Sequence, residues 1–453
     1  MEHFYRLPLL ALALALARDA RAAAWSHEAY VWQRQPAPAA LDAALDNTRA
    51  FLDAYCFLAA EVVFDKTTGA PKISRIPLDY AKLAAFSAAS RKPIALAIRV
   101  GTLSDKKQFA DFQPRLVALA AEILDAARAA RLEPAELQVD FDCPESKLGF
   151  YRDWLIALRP AIGKTPLAFT ALPSWFYYAD NITAGELTAL ARAADSFILQ
   201  VHSLTKPLDI HYYFNICDPD SALRDAERAN DLAARASVRF RIALPTYGYT
   251  LGFDADGLFV GLAAETPRDW PAGTQLRNVR ADPIAMQSLA QQLEQLAAQK
   301  LSNATGIIWF RLPVAGDRLA WPADTLAAVI QNKPIATRLV AEVHCAKPGL
   351  AEVVVINQGQ TVEQLPEILH VAWTHGFSPV SYDGLAGYDF YYDRAGDARD
   401  AETLKATKSS LATVEIAPGR ARVIGWIRFD FSDSSNSSNS TTASDFSIHA
   451  TIP

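Results

Sequence analysis

The chain has 453 residues, 51% of them apolar and 21% charged, with 44 Lys and Arg against 50 Asp and Glu for a net charge of −6. That composition excludes a disordered chain. The mild acidity argues against a nucleic-acid binder, which needs a basic face to displace counterions from phosphates.

At the start, Arg6 precedes an apolar run from Leu7 to Ala17, followed by Arg18, Asp19 and the small-residue stretch Ala20-Arg21-Ala22-Ala23-Ala24. This is the order of a secretory signal: a charged start, an apolar stretch too short to cross about 30 Å of hydrocarbon, and an A-x-A cleavage site. Residues 1–24 are expected to be removed and the mature protein exported, periplasmic or secreted, with no later segment long enough to span a membrane. Export permits disulfides among Cys56, Cys143, Cys217 and Cys345, but the sequence does not choose a pairing. No C-x-x-C spacing or His/Asp/Glu set marks a metal site, and no cofactor is expected.

From Trp25 onward, short β-rich runs alternate with Ala/Leu/Arg-rich helical segments. The strands read as Ala29–Gln33, Cys56–Phe64, Ile94–Val100, Glu136–Asp142, Leu167–Leu172, Ser196–Val201, Arg239–Leu244 and Gly306–Phe310. Asp220 and Asp282 stand as helix caps before the sixth and seventh long helices. Strand–helix alternation predicts parallel strands joined by right-handed crossovers. Eight such units in roughly 300 residues fit a (β/α)8 TIM barrel over 25–332 better than an open doubly wound sheet. No Gly-rich nucleotide fingerprint follows the first strand. After the seventh strand, 249–282 form an insertion with Phe253, Phe259 and Trp270, suited either to a lid or wall of the site or to decoration of the rim.

After Pro334 the helical period disappears. Runs at Arg338–His344, Glu352–Ile356, Ile368–Trp373, Tyr388–Tyr392, Ala412–Ile416 and Ala421–Phe431 alternate or are β-branched. They predict an antiparallel β-sandwich domain over 333–453. A Ser/Asn/Thr tract at Ser432–Ser444 and a last strand at Phe446–Ile452 complete it.

Barrel chemistry stands at the carboxyl ends of the strands. In the fourth, Gln138, Asp140 and Asp142 share one face while Val139 and Phe141 take the other, so both aspartates point into the barrel near its mouth. Carboxylates this close repel, which raises the pKa of one. The alternative is a structural aspartate satisfied by Arg99. Other strand ends contribute Arg99, Ser174 and Trp175, Gln200 and His202, Thr246 and Tyr247, and Trp309 and Arg311. Aromatic, acidic and amide groups over one cleft suit sugars, whose C–H faces stack on rings while their hydroxyls need polar partners.

This order of pieces resembles the family 18, chitinase-like glycoside hydrolases. Their fourth strand ends in D-x-x-D-x-D-x-E, their seventh resembles Leu244-Pro245-Thr246-Tyr247-Gly248, and their eighth carries an inward Trp, as Gly306-Ile307-Ile308-Trp309 would. The chain as a whole is similar to an uncharacterised family of exported bacterial proteins with the same two-domain plan. The family's first Asp falls on Leu137 and its catalytic Glu on Pro144. Glu145 stands one residue late, and a turn at Pro144 would have to bring it to the mouth. The resemblance implies that such a Glu protonates the leaving oxygen while the Asp matched by Asp142 assists the substrate's acetamido group. Three readings stay open: an exported glycoside hydrolase with Asp140 and Asp142 at its centre and Glu145 or Asp142 as general acid; a glycan-binding barrel without hydrolysis; and an envelope structural or assembly protein.

Overall fold

A computed structural model describes residues 25–35, 37–65, 67–103, 106–177, 181–204, 207–211, 214–264, 268–374, 377–392, 403–408, 414–430 and 446–453. The expected signal segment and the Ser/Asn/Thr tract lie outside them. The chain divides into two compact units, one ending at Asn332 and one beginning at Lys333.

In the first unit, eight strands pair in parallel: β1 (Ser26–Val31), β2 (Ala54–Phe64), β4 (Ile94–Val100), β5 (Leu137–Phe141), β6 (Leu167–Ala171), β7 (Ser196–Gln200), β8 (Arg239–Pro245) and β12 (Ala304–Phe310). Because β1 pairs with both β2 and β12, the sheet closes on itself. Helices separate the strands: α1 (Pro38–Thr48), α2 (Tyr80–Ser90), α3 (Lys106–Ala129), α4 (Leu148–Ile162), α5 (Ser174–Tyr177), α6 (Asn181–Arg192), α7 (Pro219–Ala236) and α8 (Pro283–Ala297), with α9 (Ala323–Ile330) after the last strand. This is the TIM barrel that the alternation predicts. An antiparallel strand that the sequence reading omits, β3 (Pro71–Arg75), returns along the end of β2.

The caps are local chemistry. Asp282 accepts from the backbone N–H groups of Ile284 and Ala285, as expected. At α7 the cap is Asp218, which accepts from the Ser221 amide at 2.9 Å, while Asp220 sits in the first turn. Pro219 explains the displacement, because a proline fits the first helical position and leaves the residue before it extended.

The barrel interior is layered. At the amino-terminal end, Arg241 bonds to Glu28 (2.6 Å) and to Glu136, so each buried charge has a partner. Above it, Tyr30, Cys56, Ala97, Ala168, Ile198, Ala243 and Ile308 form an apolar layer. The phenol of Tyr30 donates to Gln138 Oε1 at 2.7 Å. Outside the sheet, Phe141 packs on Phe109, Tyr151 and Trp154 from α3 and α4. The insertion is a three-stranded antiparallel sheet of β9 (Gly248–Phe253), β10 (Phe259–Ala263) and β11 (Gln275–Arg280). Leu251, Phe253 and Val279 cluster with Tyr247 and Ile216, and Phe310 packs on the same cluster. The insertion is therefore a wall standing on the barrel mouth.

The second unit holds two four-stranded sheets. One runs β13 (Leu339–Lys347), β14 (Leu350–Asn357), β21 (Ala421–Phe429), β17 (Pro379–Gly384); the other runs β18 (Tyr388–Tyr392), β19 (Thr403–Lys408), β16 (Ile368–Trp373), β22 (Ile448–Thr451). A short pair, β15 (Glu363–Gln364) with β20 (Glu415–Ile416), accompanies them. Within both sheets the neighbours are antiparallel. Every second residue of β16 is buried, and Val353, Leu369, Val371, Leu404, Ile424 and Ile427 make one apolar core, as a sandwich requires. The sequence reading misses β17 and β19. Of the run at Ala412–Ile416, only the end lies among the described residues.

Candidate active site at the barrel mouth

Alternation along β5 decides the centre. Asp140 and Asp142 follow Gln138 on the inner face, and the neighbouring strand places Arg99 in register with Asp140. The Arg99 guanidinium donates to Asp140 Oδ2 (2.8 Å), to Asp142 Oδ1 (3.3 Å) and to Asp142 Oδ2. Thr170 of β6 donates to Asp140 Oδ1 at 2.9 Å and accepts from the Phe141 amide. Asp140 is buried, whereas the Asp142 side chain is 43% exposed. Burial raises the pKa of Asp140, opposed by Arg99 and reinforced by the Asp142 charge. The neighbouring carboxylate thus acts in the expected direction, but desolvation is the larger cause. Charges alternate further around the rim, where Glu61 of β2 stands in register with Arg99 and forms a two-pronged pair with Arg34, both bonds at 2.7 Å. That pairing holds the Glu61 carboxyl below its ordinary range.

The opposite side of the mouth is aromatic. Phe310 at the end of β12 packs edge-on against Tyr30, Trp32 and Tyr247 and lies face to face with His202, 5.1 Å between centroids. His202 Nδ1 is 3.3 Å from the Tyr247 hydroxyl, which in turn shares a 2.9 Å bond with Tyr249. Enclosure by apolar rings pulls the His202 pKa down to about 3, so the imidazole is neutral at ordinary pH. Asp142, Gln200 and His202 line a cavity of about 700 Å³ that continues past Ser174 and Tyr177 toward Asn215, Asp218 and Asp225.

Several expected site residues stand elsewhere. Pro144 is extended and Glu145 opens a 3-10 turn (Glu145–Lys147) leading into α4. There Glu145 lines a separate cavity of about 400 Å³ with Arg152, Asp153 and Glu186. Pro144 therefore does not bring it into the cavity of Asp142. Trp309 does not point inward. Its Nε1 donates to His27 Nδ1 at 3.2 Å, its ring stacks on that imidazole, and His27 pairs with Glu294 of α8. The inward phase of β12 belongs to Ile308 and Phe310. Trp175 is buried with its indole N–H on the Cys143 carbonyl. Arg311 is 1% exposed and bonded to Asp317, and Thr246 donates to the Arg311 carbonyl. Glu61, Thr170, Phe310 and Tyr177 also stand at the mouth or its cavity, although the sequence does not single them out. Glu61 and Thr170 are single polar residues in apolar strands, while Phe310 and Tyr177 follow other aromatics, Trp309 and Trp175-Phe176, so that only the folded neighbours single them out.

All four cysteines are free thiols, Cys345 exposed and the others buried. Among the described residues, no three His, Cys, Asp or Glu side chains are grouped to hold a metal ion, and no helix is long and apolar enough to cross a membrane.

A family model described as a domain of unknown function, DUF3142, matches residues 91–315. No curated protein matches the chain. Solved structures that it resembles include the spore cortex-lytic enzyme SleL of Bacillus cereus, at 14% identity, covering 69% of this chain and 75% of that one with a TM-score of 0.46. A chitinase from Chromobacterium violaceum aligns at 17% identity over 68% and 98%, with a TM-score of 0.45. The chitinase-like agglutinin of Robinia pseudoacacia aligns at 11% over 67% and 99%, with a TM-score of 0.37. The chain is a TIM-barrel protein whose residues 91–315 match the DUF3142 model.

Proposed function

We propose that the protein is exported and holds an oligosaccharide at the barrel mouth without cleaving it. The carrying observation is the double engagement of Asp142, the inner-face carboxylate in the cavity, both of whose oxygens accept from Arg99. A glycosidase needs a carboxyl group free to protonate the leaving oxygen. Asp142 is committed as an acceptor, Asp140 lies behind it on the same guanidinium, and Glu145 lines another cavity. Sugar binding needs something different: fixed polar groups among apolar walls in a space of a few hundred Å³. Gln200, Ser203 and Asn215 beside Leu172, Leu204 and Phe214 supply that mixture.

Hydrolysis is the second reading, favoured by the exposed edge that Asp142 keeps toward the cavity. One pair of measurements decides. The purified protein is assayed on an oligosaccharide array and for release of reducing ends, alongside Asp142→Asn. Binding without release supports the proposal. Release by the parent that is lost in Asp142→Asn makes the protein a hydrolase, and absence of both binding and release sinks the carbohydrate reading.

A further inference from the structure

Tyr177 is a large aromatic residue whose surroundings are built rather than incidental. It ends α5, the short turn after β6, and is 46% exposed while lining the cavity that holds Asp142. Its phenol donates to Asp225 Oδ2 at 2.9 Å. The Arg228 guanidinium lies over the ring, 4.9 Å from its centroid, and Arg228 Nη1 donates to Asp225 Oδ1 at 3.2 Å. Asp225 is itself buried, so the anchor of this triangle is part of the packed body of α7. The ring is thus held at its hydroxyl and backed by a cation, in a residue that lines the cavity. Two residues earlier in the same turn, buried Trp175 donates its indole N–H to the Cys143 carbonyl.

We propose that Tyr177 is a stacking platform for one pyranose ring of the bound oligosaccharide, held in its plane by Asp225 and Arg228. This rests on the carbohydrate reading above. An aromatic plane fixed before binding loses little conformational entropy when a ligand arrives. The C–H face of a pyranose is apolar and settles on such a plane, which leaves the ring hydroxyls for the polar groups of the same cavity, Ser174, Asn215 and Ser221. The ligand class that fits is an uncharged oligosaccharide whose sugars present a flat C–H face, and the site reads ring shape rather than charge. Asp225 acts here as a positioning residue, because both of its oxygens are taken by Tyr177 and Arg228.

The test uses the whole protein and a panel of cello-, xylo-, manno- and chito-tetraose measured by calorimetry. The parent is expected to bind at least one member. Tyr177→Ala should weaken that binding about tenfold or more, the scale of losing a buried aromatic contact. Tyr177→Trp should retain binding, and Tyr177→Phe and Asp225→Asn should fall between, because the ring remains but its restraint is loosened. Far-UV circular dichroism and melting of each variant separate loss of the platform from loss of the fold. If Tyr177→Ala binds like the parent while Gln200→Ala weakens binding, the platform is wrong and the carbohydrate reading stands. If no panel member binds the parent, both fall.

Discussion

His202 shows how one enclosed residue sets a pH response. Its ring lies on Phe310 beside Tyr247, and Asp142 is the charge that acts on it. Burial lowers its pKa from 6.5 in the unfolded chain to about 3 in the folded one. Between those values the unfolded chain binds a proton that the folded chain refuses, so stability falls as pH drops through that window. From pH 7 to pH 5 the loss is about 2 kcal/mol, at roughly 1.4 kcal/mol for each pH unit below the unfolded pKa. Asp140 works in the opposite sense, because its pKa is raised and the folded chain takes up that proton more readily as pH falls. His202→Phe therefore isolates the histidine: it should melt at more nearly the same temperature at pH 5 and pH 7 than the parent does. Equal pH slopes for the two proteins would show that His202 is not the group responsible.

At the level of elements, alternation was legible wherever one face of a strand is polar. Gln138-Val139-Asp140-Phe141-Asp142 declares its own phase, because a carboxylate cannot face the helices that Phe141 packs on. Gly306-Ile307-Ile308-Trp309-Phe310 declares none, since both faces of a barrel strand are apolar and period 2 then carries no sign. Alternation alone therefore does not set the phase of Trp309, which its bond to His27 and the inward Ile308 and Phe310 place on the outer side. Glu145 failed for another reason, because strand period stops at the strand end and says nothing about the turn beyond. The same strand yields a steric prediction. A Cβ on Gly306 would lie 2.2 Å from the Ser26 carbonyl oxygen and 2.8 Å from its amide nitrogen, both backbone atoms of the closing seam between β1 and β12. Backbone in a closed sheet has little room to yield, so Gly306→Ala should destabilise by about 1–3 kcal/mol. Gly185 on α6 meets nothing within 4 Å, and the same change there should stabilise by about 0.5–1 kcal/mol through helix propensity. A Gly306→Ala urea midpoint equal to or above that of the parent would refute the seam argument.

For the whole molecule, the sequence signals differed between the two units. Eight strand–helix alternations identify a parallel barrel, because each crossover must cover the sheet with a helix. In the second unit the signal was thinner: β17 begins with Pro379 and carries Asp383 and Gly384, and β19 carries two lysines, so neither reads as a strand until its neighbours are known. Their placement is tertiary, since β17 pairs with β21 and β19 lies between β16 and β18. The apolar core of this unit draws on residues from Ala351 to Ala450, all of them beyond the boundary at Lys333. Two units with separate cores need not unfold as one. Leu404, fully buried in β19, is the test position. Leu404→Ala removes packed methyl groups and leaves a cavity, at a cost of about 2–5 kcal/mol. Scanning calorimetry of this variant should show one component of the unfolding profile moved to lower temperature and the other unchanged. The proposed oligosaccharide binding, measured below the lowered transition, should match that of the parent, because every residue assigned to the cavity belongs to the barrel. A single transition that shifts as a whole, with binding weakened in proportion, would mean that the barrel owes its stability to the sandwich.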